Sequence, residues 1–462
     1  MKYTIDSLHQ AYDQQEVSVS EVVTAYTKRI AQLNPTLNAY LTVDEEAIAE
    51  QVSKLPKYDK HRFPLWGVPI SVKDNYCTKG MRTTASSNVL KNFVPQYDAT
   101  VIRKLREAGA ILLGKTNMDA WAHGSSTETS DFGPTKNPHD LTRMPGGSSG
   151  GAAASVAADL CVAAVGTETA GSIRQPASWC GVIGLKPTYG RVSRYGVIAM
   201  ASSTDSPGPI TKTVPDASRI LRVIAGHDPL DATSLPDTLA DTSETKKTVT
   251  IGWSSTYLEG VSPEVKRGFE KTLQALEQKG HRIQEIDLMS PQLSIAVYTV
   301  IQRAEVSSNL ARFDGIRYGN PRSAFGSEAK KRIMLGTFVL SVGYFDAYYL
   351  KAQKVRTLII NDFKRAFKTV DAILAPTAPT TALKLGESAK YPFFGEIMDV
   401  LVEPSAIAGL PGISFPVGKD DHNLPIGMQL LAPWKEEGRL LQLTQALNPM
   451  VEQIDLKREM AA

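Results

Sequence analysis

Residues 145–176 read PGGSSGGAAASVAADLCVAAVGTETAGSIRQP, and the rest of the chain arranges itself around them. Gly146-Gly-Ser-Ser-Gly-Gly151 is a loop that runs into an alanine-rich helix. An apolar strand follows, and the turn Thr169-Ala-Gly-Ser-Ile-Arg174 closes the unit. Glycine lets the backbone approach a ligand closely, and two such turns, each presenting a serine, exceed what a connector needs. Upstream, Val68-Pro-Ile-Ser-Val-Lys73 places one lysine at the end of an apolar, strand-like run. Lys73, Ser148 and Ser172 are the candidates for one catalytic unit. The loop lacks the lysine of a phosphate-binding GxxxxGK[ST] loop, and its glycines do not fit the GxGxxG spacing of a dinucleotide fold.

Outward from this unit, strands and helices alternate. Ser18-Val-Ser-Glu21 has the form of a capping box, with Val19, Val22, Val23, Tyr26, Ile30 and Leu33 following at helical spacing. Leu37–Val43 and Val68–Lys73 read as strands, residues 99–108 as an amphipathic helix, and Ile111–Leu113 as a buried strand. Residues 227–247 are polar and rich in Asp, Thr and Ser, which predicts a surface excursion. Beyond it, Thr248–Trp253, a helix opening at Ser262-Pro263, and His281–Leu288 form a βαβ unit. A helix over 351–367 precedes the strand Ala372–Ala375, and the last strands lie at Gly412–Pro416 and Ile426–Leu431. The pattern predicts a single α/β/α domain over 1–462 with a large mixed central sheet covered by helices, residues 290–400 forming a partly helical cover.

Apolar residues make up 42% of the 462, enough for a sizeable core, and 51 basic against 48 acidic side chains leave a net charge of only +3. Such a balance gives no footprint for direct nucleic-acid or membrane binding. Cys77, Cys161 and Cys180 are too scattered for a disulfide frame or a zinc site and point to a reducing compartment. With no apolar signal region and no 18-residue apolar run, the expectation is a soluble, cytoplasmic chain without a metal.

The seven histidines stand in neither HExxH nor a GxSxG context, so the serines need another base. Lysine serves when burial disfavours its charged form, although Asp74 next door would oppose the shift. Backbone N–H groups of Thr169, Ala170 and Gly171 can converge on an oxyanion beside Ser172, and Ser148 can relay a proton between Ser172 and Lys73. Taken singly, a lysine ending a strand or a tight glycine turn has an ordinary explanation; the three residues together do not.

GGSSGG, then GSIRQP with 172 − 148 = 24 positions between the serines, and VPISVKDN upstream resemble the amidase signature family. That resemblance implies a single domain with a mixed sheet wrapped by helices and a Ser–Ser–Lys triad. Ser172 would be the nucleophile, Ser148 the bridging serine, often on a cis peptide, and Lys73 the base. Gly114–Asp119, Gly124–Ser130, Gly184–Arg194, Arg312–Tyr318, Asp346–Tyr349, Lys354–Leu358 and Pro376–Thr381 are similar to one branch, the A subunits of tRNA-dependent amidotransferases. The branch implies a glutaminase that feeds ammonia to a B subunit, where misacylated Glu-tRNA(Gln) or Asp-tRNA(Asn) is amidated with ATP and Mg²⁺, and a small C subunit that ties the two together. No cofactor is expected in this chain itself. By the same correspondence Tyr298, Arg332 and Asp399 would bind glutamine. The sequence departs from the branch at Ala170, where a second glycine is usual, and in a short segment after Tyr318. The alternative is a stand-alone amidase acting on another small amide; loss of Lys73 or either serine would have suggested a non-catalytic scaffold, and all are present.

Overall fold

The computed structural model describes residues 3–237, 239, 248–317, 319–447, 449 and 451. Eleven strands form one mixed sheet: β1 (Tyr40–Thr42), β2 (Pro69–Lys73), β3 (Ile111–Thr116), β4 (Ala163–Glu168), β5 (Ile183–Lys186), β6 (Ser206–Thr211), β7 (Thr250–Trp253), β8 (Arg282–Glu285), β9 (Ala372–Pro376), β10 (Gly412–Lys419) and β11 (Pro425–Leu431). Their order is β1-β3-β2-β4-β6-β5-β10-β11-β9-β7-β8. β2 runs parallel to both β3 and β4, and β7 parallel to β8 and β9; the other neighbours pair antiparallel. This is the mixed sheet expected. Strands β2 to β6 are buried at every position, so neither face shows the alternation of apolar and polar residues that a half-exposed strand would.

The first long helix starts as its sequence predicts. Ser18 Oγ accepts from Glu21 N–H at 3.2 Å while Glu21 Oε2 accepts from Ser18 N–H at 2.8 Å, and the six apolar residues named above are all buried. The expected strand from Leu37 is shorter than its sequence suggests. Leu33 and Leu37 continue the apolar stripe at i, i+4, so the helix runs to Leu37 through Pro35. Asn38 in the left-handed region (φ 51°) then ends it, leaving only Tyr40–Thr42 extended. At the other edge β8 stops at Glu285, three residues before the strand expected.

The polar stretch from His227 is not a free excursion over its described part. Buried Asp228 accepts from Thr100 and Ser193 hydroxyls, both at 2.5 Å, and Asp231 pairs with Arg194 at 3.2 Å, so 227–237 is tied to the body. Residues 238 and 240–247 lie outside the described residues, as does Tyr318. Helices Gln292–Leu310, Ser327–Val339 and Lys351–Ala366, with a π-helical turn at Phe345–Leu350, pack on one another around a second apolar cluster that includes Val297, Ile301, Ile359 and Phe363. The 290–400 region also supplies an interior strand of the sheet, β9, between β11 and β7.

Candidate active site

β2 and β4 are parallel neighbours, Val72 facing Val165, so their carboxyl ends emerge side by side. Open α/β sheets build sites at this position. Lys73 ends β2 fully buried; its Nζ donates to Ser148 Oγ at 2.8 Å and to the Thr167 carbonyl at the end of β4 at 3.0 Å. Burial pushes the amine down to about 7, against the opposing fields of Asp119, Asp205 and Glu168. Asp74 does not counteract the shift as its sequence position suggested. Successive strand residues face opposite sides, and Asp74 turns to Thr84 N–H at 2.9 Å and to Lys115, 3.7 Å away.

The Gly147–Ser148 peptide is cis. Gly147 N–H donates to Gln175 Oε1 at 2.9 Å, and the Ser148 carbonyl accepts from Asp119 N–H at 3.3 Å. A Cβ on Gly147 would stand 2.0 Å from Asp119 Oδ2, so only glycine allows this loop to press against Asp119. That carboxylate in turn accepts from Ser126 N–H (3.2 Å) and Thr127 N–H (2.9 Å), locking a second loop beneath the first. The two serine loops meet where Ser149 N–H donates to the Ser172 carbonyl at 3.1 Å.

Ser172 follows β4 in the turn 169–172 and is 4% exposed. A buried ion pair brackets this turn. Glu168 Oε2 accepts from Ile173 and Arg174 N–H groups (3.0 and 2.9 Å), and Oε1 accepts a fork from Arg174 Nε and Nη2 (2.8 and 2.6 Å). Arg174 also reaches the Ala170 carbonyl, Ser405 and Gln429, pinning the turn to β11. Among the described residues, no acceptor engages the backbone N–H groups of Thr169, Ala170, Gly171 or Ser172, and Ser172 Oγ makes no hydrogen bond. Ala170 does not take the left-handed backbone that would call for glycine, so alanine fits there. Gly171 is different: a Cβ would lie 2.4 Å from Asp399 Oδ1. Thr169 Oγ1 donates to buried Asp205 at 2.8 Å.

The close approach at Gly171 also brings Asp399, distant in sequence, beside the nucleophile candidate. Asp399 ends the helix Phe394–Asp399; Oδ2 accepts from Ser125 Oγ at 2.9 Å, while Oδ1 is buried without a partner. Burial holds this carboxyl well above its ordinary range. Arg332, on the helix Ser327–Val339, donates to Glu328 Oε1 at 2.7 Å and lies 3.8 Å from Glu396 Oε1, which also takes Arg303 Nη2 at 2.7 Å. Tyr298 is buried on the helix Gln292–Leu310, and burial raises its phenol well above its usual range, within electrostatic reach of Arg332, Glu403, Asp399 and Glu396. Tyr298, Arg332 and Asp399, drawn from three helices, thus share one polar cluster next to the Ser172 turn.

Several residues here escaped the sequence reading. Glu168 and Arg174 flank the turn six positions apart, a spacing that could have flagged a clamp; Asp119 and Ser125 lie in quoted motifs without an assigned role. His123, Arg303, Glu396 and Glu403 are isolated polar residues with no local pattern. Among the described residues, no group of three or more His, Cys, Asp or Glu is placed to hold a metal ion, and no helix is long and apolar enough to cross a membrane.

Comparison with known proteins gives one answer throughout. The family model described as Amidase matches residues 21–441. The A subunit of the glutamyl-tRNA(Gln) amidotransferase of Prochlorococcus marinus (strain NATL2A) is 48% identical, with 97% of each chain aligned. The crystal structure of the glutamyl-tRNA(Gln) amidotransferase A subunit from Thermotoga maritima superposes with a TM-score of 0.85 at 39% identity over 98% of both chains. The peptide amidase from Stenotrophomonas maltophilia superposes with a TM-score of 0.81 at 27% identity, again over 98% of both chains. With the family model spanning most of its length, and relatives of this identity covering nearly all of it, the chain belongs to the amidase family.

Proposed function

We propose that this chain is the glutamine-hydrolysing component of a tRNA-dependent amidotransferase, releasing ammonia for conversion of Glu-tRNA(Gln) to Gln-tRNA(Gln). The observation that carries the reading is the buried Lys73–Ser148 hydrogen bond of 2.8 Å, with the adjoining Ser149 N–H bonded to the Ser172 carbonyl, beside the unpartnered carboxyl oxygen of Asp399. With its pKa near 7, Lys73 is substantially neutral at physiological pH and can take a proton through Ser148. Ser172 Oγ attacks the side-chain amide carbon of glutamine as its proton passes by way of Ser148 Oγ to Lys73 Nζ. The carbonyl oxygen becomes an oxyanion held by the free N–H groups of the 169–172 turn. The same proton returns to the leaving nitrogen, ammonia departs, and water then cleaves the γ-glutamyl ester on Ser172. Asp399 suits the α-ammonium of glutamine, and Arg332 and Tyr298 its α-carboxylate end. Identity separates the two candidate activities: 48% and 39% to the amidotransferase relatives against 27% to the peptide amidase.

Partner B and C subunits complete the assembly, misacylated tRNA being bound mainly through B and ATP and Mg²⁺ being used there; the cytoplasm is the expected site of this work. An exposed apolar strip supports a protein partner. Met334 is 72% and Val342 99% exposed, and the Phe338 and Tyr344 rings lie 4.1 Å apart, tilted against each other, with Tyr348 beside them, all half open to solvent. Contiguous apolar surface of this kind marks interaction sites. The reading is tested with Ser172→Ala in the assembled complex. Glutamine hydrolysis and glutamine-dependent amidation should vanish, while added ammonia still supports amidation of the tRNA. Undiminished glutamine turnover would overturn the nucleophile, and no turnover by the unaltered complex would overturn the function.

A further inference from the structure

Behind the Ser172 turn lies a buried polar cluster whose unpaired atoms fall into two chemical kinds. On one side are the carboxyl oxygens Asp399 Oδ1 and Glu403 Oε1; on the other are the donors Arg303 Nε and Gln302 Nε2 and the ring of His123, neither of whose nitrogens has a partner among the described residues. A protein interior seldom tolerates so many unpaired polar atoms together unless a ligand completes them.

His123 is the most exacting member. It is 1% exposed and its backbone is fixed from three sides. Thr129 Oγ1 donates to its carbonyl at 3.3 Å, Trp121 two positions before it packs on Phe313 and Phe325 at 4.9 and 5.3 Å, and Ser125 two positions after it holds Asp399. Gly395 adjoins the Gly124–Ser125 backbone, so this turn abuts the helix that carries Glu396 and Asp399. Burial, reinforced by the guanidinium groups of Arg332 and Arg303, pushes the imidazole well below its ordinary value, so the ring is neutral. A neutral imidazole offers one N–H donor and one acceptor nitrogen. An amino acid amide brings complementary groups: an α-carboxylate for the donors and an α-ammonium for the acceptors.

We propose that His123 is a specificity residue of the amide-donor pocket, its ring N–H donating to the α-carboxylate drawn in by Arg332, with Asp399 Oδ1 taking the α-ammonium. The inference rests on the glutaminase reading and assigns recognition of the zwitterion to a side chain remote from the Lys73–Ser148–Ser172 chemistry. The test compares glutamine with 4-aminobutanamide, which is glutamine without its α-carboxylate, as substrates of the assembled complex carrying His123→Leu or His123→Asn. Loss of one hydrogen bond to a charged group should raise the glutamine KM roughly 10- to 100-fold in His123→Leu, with the loss in KM rather than kcat. The ratio of kcat/KM for glutamine to that for 4-aminobutanamide should fall by the same factor, and this ratio does not depend on how much enzyme is folded. His123→Asn, which keeps an N–H donor, should recover part of it. An unchanged ratio in His123→Leu, or no recovery in His123→Asn, would overturn the assignment of His123 alone. An unaltered complex inert toward glutamine would overturn the glutaminase reading and this inference with it.

Discussion

Replacing Lys73 by Met should abolish glutamine hydrolysis and, at neutral pH, stabilise the protein. Burial moves the amine from 10.5 to about 7, so near pH 7 the unfolded chain is fully protonated at this group and the folded chain only in part. That difference costs the folded state ~4–5 kcal/mol at pH 7. Methionine has similar bulk without the ionisation cost. It forfeits the hydrogen bonds to Ser148 and Thr167, together worth ~2 kcal/mol, although the Thr167 carbonyl keeps a donor in Ser149 Oγ at 3.3 Å. The net expectation is a gain of ~2–3 kcal/mol at pH 7. The sign of its pH dependence follows from linkage. Between about 7 and 10.5 the unfolded lysine holds the proton and the folded one does not, so the stability contributed by this group rises with pH. The advantage of Lys73→Met should therefore shrink by ~1.4 kcal/mol per pH unit and be largely gone, or reversed by the lost hydrogen bonds, at about pH 9.5. Denaturant unfolding of both proteins at several pH values across this window, read as a difference, cancels other buried groups such as Lys115 and Lys186. A difference that stays constant over this range would mean that Lys73 is charged in the folded protein and cannot be the base proposed.

The same ionisation sets the activity profile. In the unaltered complex kcat/KM for glutamine should fall about tenfold per pH unit below about 7 and level off above it, as the base form of Lys73 is titrated; a profile that stays flat across pH 7 would count against lysine as base. Arg332→Ala and Asp399→Asn should each raise the glutamine KM by roughly 10- to 100-fold while leaving ammonia-dependent amidation intact, measured as tRNA amidation with either nitrogen source. Glu168→Gln should destabilise the fold by ~3–5 kcal/mol, because it strands the buried Arg174 charge; thermal unfolding reads this directly. Val342→Asp, at a fully exposed position, should leave unfolding unchanged but weaken co-purification with the B and C partners.

The reacting groups were legible because the chemistry is local. A glycine-serine loop, a second glycine-serine turn 24 positions on and a lysine closing an apolar strand each announce themselves within a few residues, and the strands around them read clearly because β2 and β4 are buried on both faces. The capping box at Ser18 was legible for the same reason, while the far end of its helix was not: a left-handed Asn38, rather than the proline at 35, stops it. Tyr298, Arg332 and Asp399 could be named only through family resemblance, since nothing in their surroundings marks them. Tertiary structure alone decides the rest. It turns Asp74 away from Lys73, fits Asp399 against a glycine at 171, and anchors 227–237 through two buried aspartates. It also gathers His123, Arg303 and Glu396 from three separated segments. Strand alternation and helix pitch act over a few residues and leave a sequence signature. Convergence of single side chains across roughly 100 to 275 positions leaves none, because it depends on how whole helices dock on the sheet.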